Sequence, residues 1–264
     1  MHTIAVANRK GGVGKSSVAT HLAAALGLRG ASVLVIDMDS QASASAMLLD
    51  EIADDLPTTT QLLLGEARIA DVMRPSKRER VMVAPACSEL TRAQFAIAGR
   101  TGRETIVRRA LRELTDIDVV LIDTAPELQL ATVNALVASN HVLMPFTPDP
   151  KALEGLGTTS EAVAEIVAAE LGHPAILGCV QVAYDRRLAV TDQSREQVAA
   201  VYGAALFETR IRVNSGFIVC PAWHHDIFAM ERQERQRGRG SEDFLALADE
   251  VSARLGLVAH AAAA

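Results

Sequence analysis

Residues 10 to 17, Lys-Gly-Gly-Val-Gly-Lys-Ser-Ser, restrict the fold of this chain more than any other stretch. Gly11, Gly12 and Gly14 allow a backbone tight enough to aim successive N–H groups into one anion-sized hollow, and Lys15 adds a cation to it. The pattern G-x-x-x-x-G-K-[ST] is met only in part. Gly14, Lys15 and Ser16 fit, but the position five before Gly14 is Arg9. The flanks supply the context such a loop needs. "TIAVAN" before it reads as a short buried strand, and "SSVATHLAAALGLRG" after it reads as a helix. Val18, Leu22, Ala25 and Leu26 share one face of that helix, and Gly30 marks its stop. Strand, glycine loop and helix N-terminus in that order make an anion site, because the helix contributes free N–H groups and its positive dipole end. Lys10 exceeds the requirement, since a phosphate loop needs no second lysine.

Further short apolar runs recur at 32–37, 80–85, 118–123, 141–146 and 175–184, alternating with helical patterns at 102–115, 128–139, 153–171, 191–202 and 241–256. Near-continuous apolar strands separated by helices predict an α/β fold: a doubly wound, mostly parallel twisted sheet with helices on both faces. With 264 residues, 49% of them hydrophobic, one domain over 1–264 is expected, with a frayed tail at about 257–264. Residues 50–80 form the most polar excursion. A net charge of −6 argues against a surface that is basic throughout, so any nucleic-acid contact must be local. Cys87, Cys179 and Cys220 are far apart and odd in number, which gives no disulfide framework and fits a reducing cytoplasm. No apolar run approaches the roughly 20 residues needed to span a bilayer, and a soluble protein is expected.

Ligands of parallel sheets gather at the carboxyl ends of strands, so acidic residues that close apolar runs are informative. Asp123 ends "VVLID" and is placed to hold magnesium, directly or through water, with the Ser16 hydroxyl as a second ligand. Asp37 and Asp39 close "VIDMD". Asp39 is the one expected to position the attacking water or the magnesium shell, and Asp37 to be structural.

Taken together, K-G-G-V-G-K-S, D-x-D-x-Q, L-I-D-T-A-P, "TVNALVAS" and "ALEGL" at 152–156 resemble the ParA/MinD family of deviant Walker A ATPases. "PFTPDPKALEGL", "VAYDRR" and "GSEDFLALADEV" bring the chain nearest the small ParA, Soj-like branch, and the similarity runs from about residue 3 to 256. The resemblance gives Lys10 a use: it implies a lysine that reaches across an ATP-sandwich homodimer to the phosphates bound by the other subunit. It further implies that Lys10, Gly11, Gly12, Val13, Gly14, Lys15, Ser16 and Ser17 hold ATP and Mg2+, with Lys10, Lys15, Asp39 and Asp123 catalytic and Ser16, Asp39 and Asp123 at the metal. Asn214, in an I-x-x-N core with Ile211, would lie near the adenine, with Pro148 and Asp149 as nucleotide neighbours. Two departures stand out. Ser40 replaces the usual proline of D-x-D-P-Q, and residues 215–226 lack the family's common basic continuation.

The same resemblance implies slow ATP hydrolysis stimulated by a ParB-like or other cargo-adaptor protein, a nucleoid-associated cytoplasmic location, and sequence-independent binding of double-stranded DNA by the dimer. Arg186, Arg187, Arg210, Arg212, Arg235 and Arg237 are the arginines proposed to contact phosphates. The function expected is segregation or positioning of a chromosome, plasmid or other cargo. The alternative is a nucleotide switch that regulates a division or polarity factor without DNA. A metabolic P-loop ligase or kinase would need a substrate pocket that no residue here demands. A basic amphipathic C-terminal helix for a membrane is missing from "ADEVSARLGLVAHAAAA". Cys220, His224, His225 and Asp226 in "CPAWHHD" invite a metal, but adjacent histidines seldom ligate one ion together, so a partner loop is the better reading there.

Overall fold

Alternate residues of the central strands enter different cores, which is why both faces of the sheet must be covered. Val33 and Val35 pack with Val18, Leu22 and Leu26 of the helix after the glycine loop, whereas Leu34, Ile36 and Met38 pack with Leu63, Val107 and Ala135 on the opposite side. Val119 and Leu121 divide from Val120 and Ile122 in the same way. A third core joins Ala5, Val142, Met144 and Phe146 to Leu156, Val163 and Val198. Strands buried on both sides have no solvent face to mark with polar residues, which explains their continuous apolar runs.

The computed structural model describes residues 1–51, 55–233 and 239–257. These build one eight-stranded sheet of β1 (His2–Val6), β2 (Val33–Met38), β3 (Arg74–Pro75), β4 (Val81–Ala84), β5 (Val119–Thr124), β6 (His141–Phe146), β7 (Ala175–Tyr184) and β8 (Leu206–Arg212). Their order is β3-β4-β2-β5-β1-β6-β7-β8, parallel throughout except for β3 against β4. In the first half of the chain the helices are α1 (Lys15–Leu28), α2 (Ser43–Leu48), α3 (Thr59–Leu64), α4 (Ile69–Val72), α5 (Leu90–Ile97) and α6 (Ile106–Ala110). The second half adds α7 (Leu130–Ala138), α8 (Ala152–Ala168), α9 (Ala189–Tyr202), α10 (Gly216–Val219), α11 (Ile227–Gln233) and α12 (Arg239–Leu255). From β1 the chain winds towards β2 and β4, and after β5 it winds the other way through β6, β7 and β8. The loop after β1 therefore opens where the winding reverses, the position at which doubly wound sheets form a crevice.

The strands expected from apolar runs are present, as are the helices after them, with one exception. Residues 102–115 do not form a continuous helix. Gly102 takes a left-handed φ of 71°, and α6 is flanked by two 3-10 turns, Arg103–Thr105 and Leu111–Glu113. The polar excursion at 50–80 holds α3, α4 and β3, organised by a Thr58–Gln61 capping box. Strand β8 had no apolar run to announce it.

Candidate functional site

The glycine loop is a left-handed turn held from outside. Gly12 and Gly14 have φ of 72° and 78°, values that cost L-residues with a Cβ but not glycine. Gly14 caps α1 with no side-chain hydrogen bond, and the first turn carries no acidic residue, so the helix N–H groups remain open to an anion. The Asn8 amide donates to the Pro145 carbonyl (2.8 Å), while its oxygen accepts from Lys10 N–H (2.9 Å). Arg9 N–H donates to Thr159 Oγ1 (3.1 Å) on α8. A Cβ at Gly155 would stand 2.6 Å from Asn8 Oδ1 and 3.0 Å from Lys10 Cβ, so the "ALEGL" helix lies flush against the loop only because position 155 is glycine.

The two lysines of the loop occupy different environments. Lys15 is 7% exposed and donates to the Lys10 carbonyl (3.3 Å). Burial lowers the pKa of its ammonium, opposed by the charges of Asp123, Asp39 and Glu127. Lys10 lies on the rim, its side chain 31% exposed and its Nζ 2.8 Å from Asp149 Oδ2, in a separate polar groove with Arg9, Lys151 and Glu154. The Lys10 hydrogen bond is the main reason that the Asp149 carboxyl titrates below its ordinary range.

Three aspartates divide their tasks by burial. Asp37 is fully enclosed and accepts from Ser45 Oγ (2.7 Å), Ser45 N–H (2.9 Å) and Asp39 N–H (3.1 Å). Desolvation nevertheless lifts its pKa to about 6. This is the structural role expected of it. Asp123 lies beside it in register across β2 and β5, and neither of its buried oxygens has a hydrogen-bond partner of ordinary geometry. Burial first, and Asp37 second, hold its pKa well above the usual carboxylate range, while the nearby Ser16 hydroxyl and Lys15 pull it down. An orphaned carboxylate beside a hydroxyl and a lysine has the hard oxygen donors that magnesium prefers. Among the described residues no three His, Cys, Asp or Glu side chains gather as a metal cage. Magnesium does not require one, because it keeps waters and takes substrate phosphates as ligands. Asp39 is half-buried, accepts from Gln41 N–H (2.9 Å), and lines a polar cleft of about 400 Å³ with Ser40, Gln41, Glu127 and Gln129.

On the other side of the loop a mostly apolar cavity of about 310 Å³ runs from Gly12, Gly14 and Ser17 to Val182, Ile211, Asn214 and Phe217. Asn214, expected near the adenine, lines this cavity, but its side chain is already engaged. Oδ1 accepts from Gly216 N–H (2.8 Å) and Nδ2 donates to Glu231 (3.2 Å). Glu231 also accepts from Gly240 and Ser241 N–H, which ties α11 and the start of α12 to the cavity wall. Thr147 lines this cavity; Pro148 and Asp149 do not, and Asp149 faces Lys10 instead.

Three of the six arginines expected to form a free basic face are paired with carboxylates of the same chain. Arg187 pairs with Asp185, Arg210 pairs with Asp192 and stacks on Tyr184, and Arg212 pairs with Asp243 and Glu242 at the cavity rim. Arg186 is exposed, and Arg235 and Arg237 lie outside the described residues. In "CPAWHHD", Asp226 is 4% exposed and ion-paired with Arg78, His224 Nδ1 bonds the Ala46 carbonyl (2.9 Å), and Trp223 is more than half exposed. Asn8, Thr159, Glu231 and Glu127 escape the sequence, as does the close contact of Gly155, although that glycine lies in the quoted "ALEGL". Of the first four, Glu127 alone left a signal, a charge four residues past the strand-ending Asp123.

Residues 1–171 match the family model described as an AAA domain. The chain is 32% identical over 252 residues to the sporulation initiation inhibitor protein Soj of Bacillus subtilis, covering 95% of this chain and 98% of that protein. It is 31% identical over 253 residues to the chromosome partitioning protein ParA of Myxococcus xanthus, covering 95% and 88%. Among solved structures, cobyrinic acid a,c-diamide synthase from Mycobacterium smegmatis, with bound ATP analogue and magnesium, superposes with a TM-score of 0.75 at 28% identity over 90% of this chain and 98% of that one. A glycine loop with a second lysine, at the winding reversal of a doubly wound sheet, defines a P-loop protein of the deviant Walker A class. The chain belongs to the ParA/MinD family of ATPases, and its ParA and Soj relatives extend along nearly its whole length.

Proposed function

We propose that this protein binds Mg2+-ATP at the loop 10–17, pairs with a second copy around two ATP molecules, and in that state binds double-stranded DNA without sequence preference, positioning a chromosome, plasmid or other cargo. Hydrolysis, stimulated by an adaptor protein, resets the cycle. Lys15 meets the β- and γ-phosphates, Ser16 and Asp123 hold magnesium, and Asp39 orients the attacking water. The observation that carries the reading is the separation of the two lysines: Lys15 is buried within the loop, while Lys10 stands on the outer rim. A cation there stabilises charge developing on phosphate only if the phosphate belongs to another copy, so nucleotide state and assembly become one equilibrium. In the monomer Asp149 holds that cation in cis.

A second reading is a nucleotide switch directed at a protein partner without DNA. It is favoured by the carboxylates that neutralise Arg187, Arg210 and Arg212. Among the described residues no helix is long and apolar enough to cross a membrane.

Fluorescence anisotropy on a random-sequence duplex, with ATP, ADP or no nucleotide across a salt series, separates the two. Binding that requires ATP, weakens with salt and disappears in Lys10→Ala supports the DNA cycle. ATP-dependent dimers that ignore DNA refute it in favour of the protein-directed switch.

A further inference from the structure

We propose that Glu127 is a second acidic residue of the hydrolytic cleft, sharing the attacking water with Asp39 and accepting its proton. The inference rests on the reading of the loop 10–17 as a Mg2+-ATP site. Three carboxylates, Asp123, Asp39 and Glu127, act on Lys15, and Asp37 lies beside Asp123 across the sheet; of these four, Asp37 and Asp123 are unavailable to water. Asp37 is consumed by three hydrogen bonds, and Asp123 is fully buried. Asp39 and Glu127 are the two that line the open polar cleft, together with Gln41 and Gln129. Glu127 is exposed yet close enough for its charge to favour the protonated form of Lys15.

Its backbone is held at both ends, as a positioned group requires. Thr124 Oγ1 donates to the Val6 carbonyl (2.9 Å), tying the turn to the strand that launches the glycine loop, and Thr132 Oγ1 donates to the Glu127 carbonyl (2.9 Å). Gln94 accepts from Ala131 N–H (2.8 Å) and donates to Gln129 (3.0 Å). Asp39 spends one oxygen on Gln41 N–H, so a second carboxylate gives the water a second acceptor. In the step, the water oxygen bonds to the γ-phosphorus as the bond from that phosphorus to the bridging oxygen breaks. ADP leaves with the electron pair, the water proton passes to Glu127, and Glu127 releases it to solvent. A positioned base contributes on the order of 100- to 10,000-fold.

The test separates binding from turnover in the full chain. Removing a negative charge beside the phosphates leaves ATP affinity unchanged or tighter, whereas removing the proton acceptor slows hydrolysis. Glu127→Gln should therefore bind a fluorescent ATP analogue with Mg2+ at least as tightly as the parent, and hydrolyse ATP at least about tenfold more slowly in single turnover. Glu127→Asp, which keeps the acid, should recover part of the rate. Turnover of Glu127→Gln within about twofold of the parent refutes the proposal. So does a slower rate matched by an equal loss of ATP affinity in both variants. A parent chain that binds no ATP sinks the underlying site reading as well, and neither measurement depends on DNA.

Discussion

Replacing Asp123 by asparagine should stabilise the nucleotide-free protein and remove most of its response to Mg2+-ATP. Asp123 has 0% exposure, two oxygens without ordinary partners, and Asp37 opposite it in register. A carboxyl whose pKa is higher folded than unfolded keeps its proton longer in the native state, so stability is fully present below the unfolded value and falls as pH rises through the window. For Asp37, lifted from 3.8 to about 6, that window lies between those values. The shift corresponds to about 3 kcal/mol lost by neutral pH. Asp123, whose pKa is also raised by burial and by Asp37, adds a loss of the same sign. Asparagine cannot ionise, but its amide remains buried and unpaired, so a net gain of about 1–3 kcal/mol at neutral pH is expected. At roughly 2–4 °C per kcal/mol for a chain of this size, the melting temperature should rise by about 2–12 °C. Thermal unfolding in EDTA near pH 5 and near pH 7.5 reads both effects: the parent loses stability between the two, and the variant loses less. Saturating Mg2+-ATP should reverse the ranking, since a ligand at 100 times its Kd stabilises the parent by about 3 kcal/mol. An asparagine variant no more stable than the parent near pH 7.5 without metal, or one with an unchanged pH difference, refutes the argument.

A Cβ at position 155 displaces Asn8 and Lys10, so Gly155→Ala should weaken ATP binding by about tenfold or more and cost about 1–3 kcal/mol of stability, read by analogue titration and urea unfolding. Arg78→Ala leaves Asp226 buried without its ion pair and should cost about 3–5 kcal/mol in urea unfolding, part of which the added change Asp226→Asn restores. Asp149→Asn frees Lys10 in the monomer; the released pair is partly exposed, so ATP-dependent dimerisation in analytical ultracentrifugation should strengthen by less than about fivefold.

What was legible in the sequence was whatever depends on local pattern. Strands β2, β5 and β6 announce themselves because both of their faces are buried, and the glycine loop because its chemistry needs glycines and lysines in tight order. Strand β8, "LFETRIR", is an edge strand in which Glu208, Thr209 and Arg210 interrupt the apolar pattern, so it stayed hidden. The helical pattern at 102–115 was misleading for a related reason: the apolar positions are real, but Gly102 and the 3-10 turns break the backbone into short pieces. In the site, Lys15 and Asp123 were legible as types at expected places. That Asn214 is engaged by Glu231, or that Arg212 is neutralised by Asp243, depends on contacts 17 and 31 residues apart, which no spacing rule reports.

The fit of α8 against the glycine loop makes that helix a connecting rod. Its 17 residues span about 25 Å at 1.5 Å per residue, from the Gly155 end beside Asn8 and Lys10 to the turn after Ala168. There Arg108 donates to the Leu171 carbonyl (2.5 Å) across to the segment of α6. Because no side chain cushions the contact at Gly155, the helix backbone bears directly on Asn8 and Lys10 of the loop. The far flank of the molecule is thereby joined to the glycine loop through one rigid element.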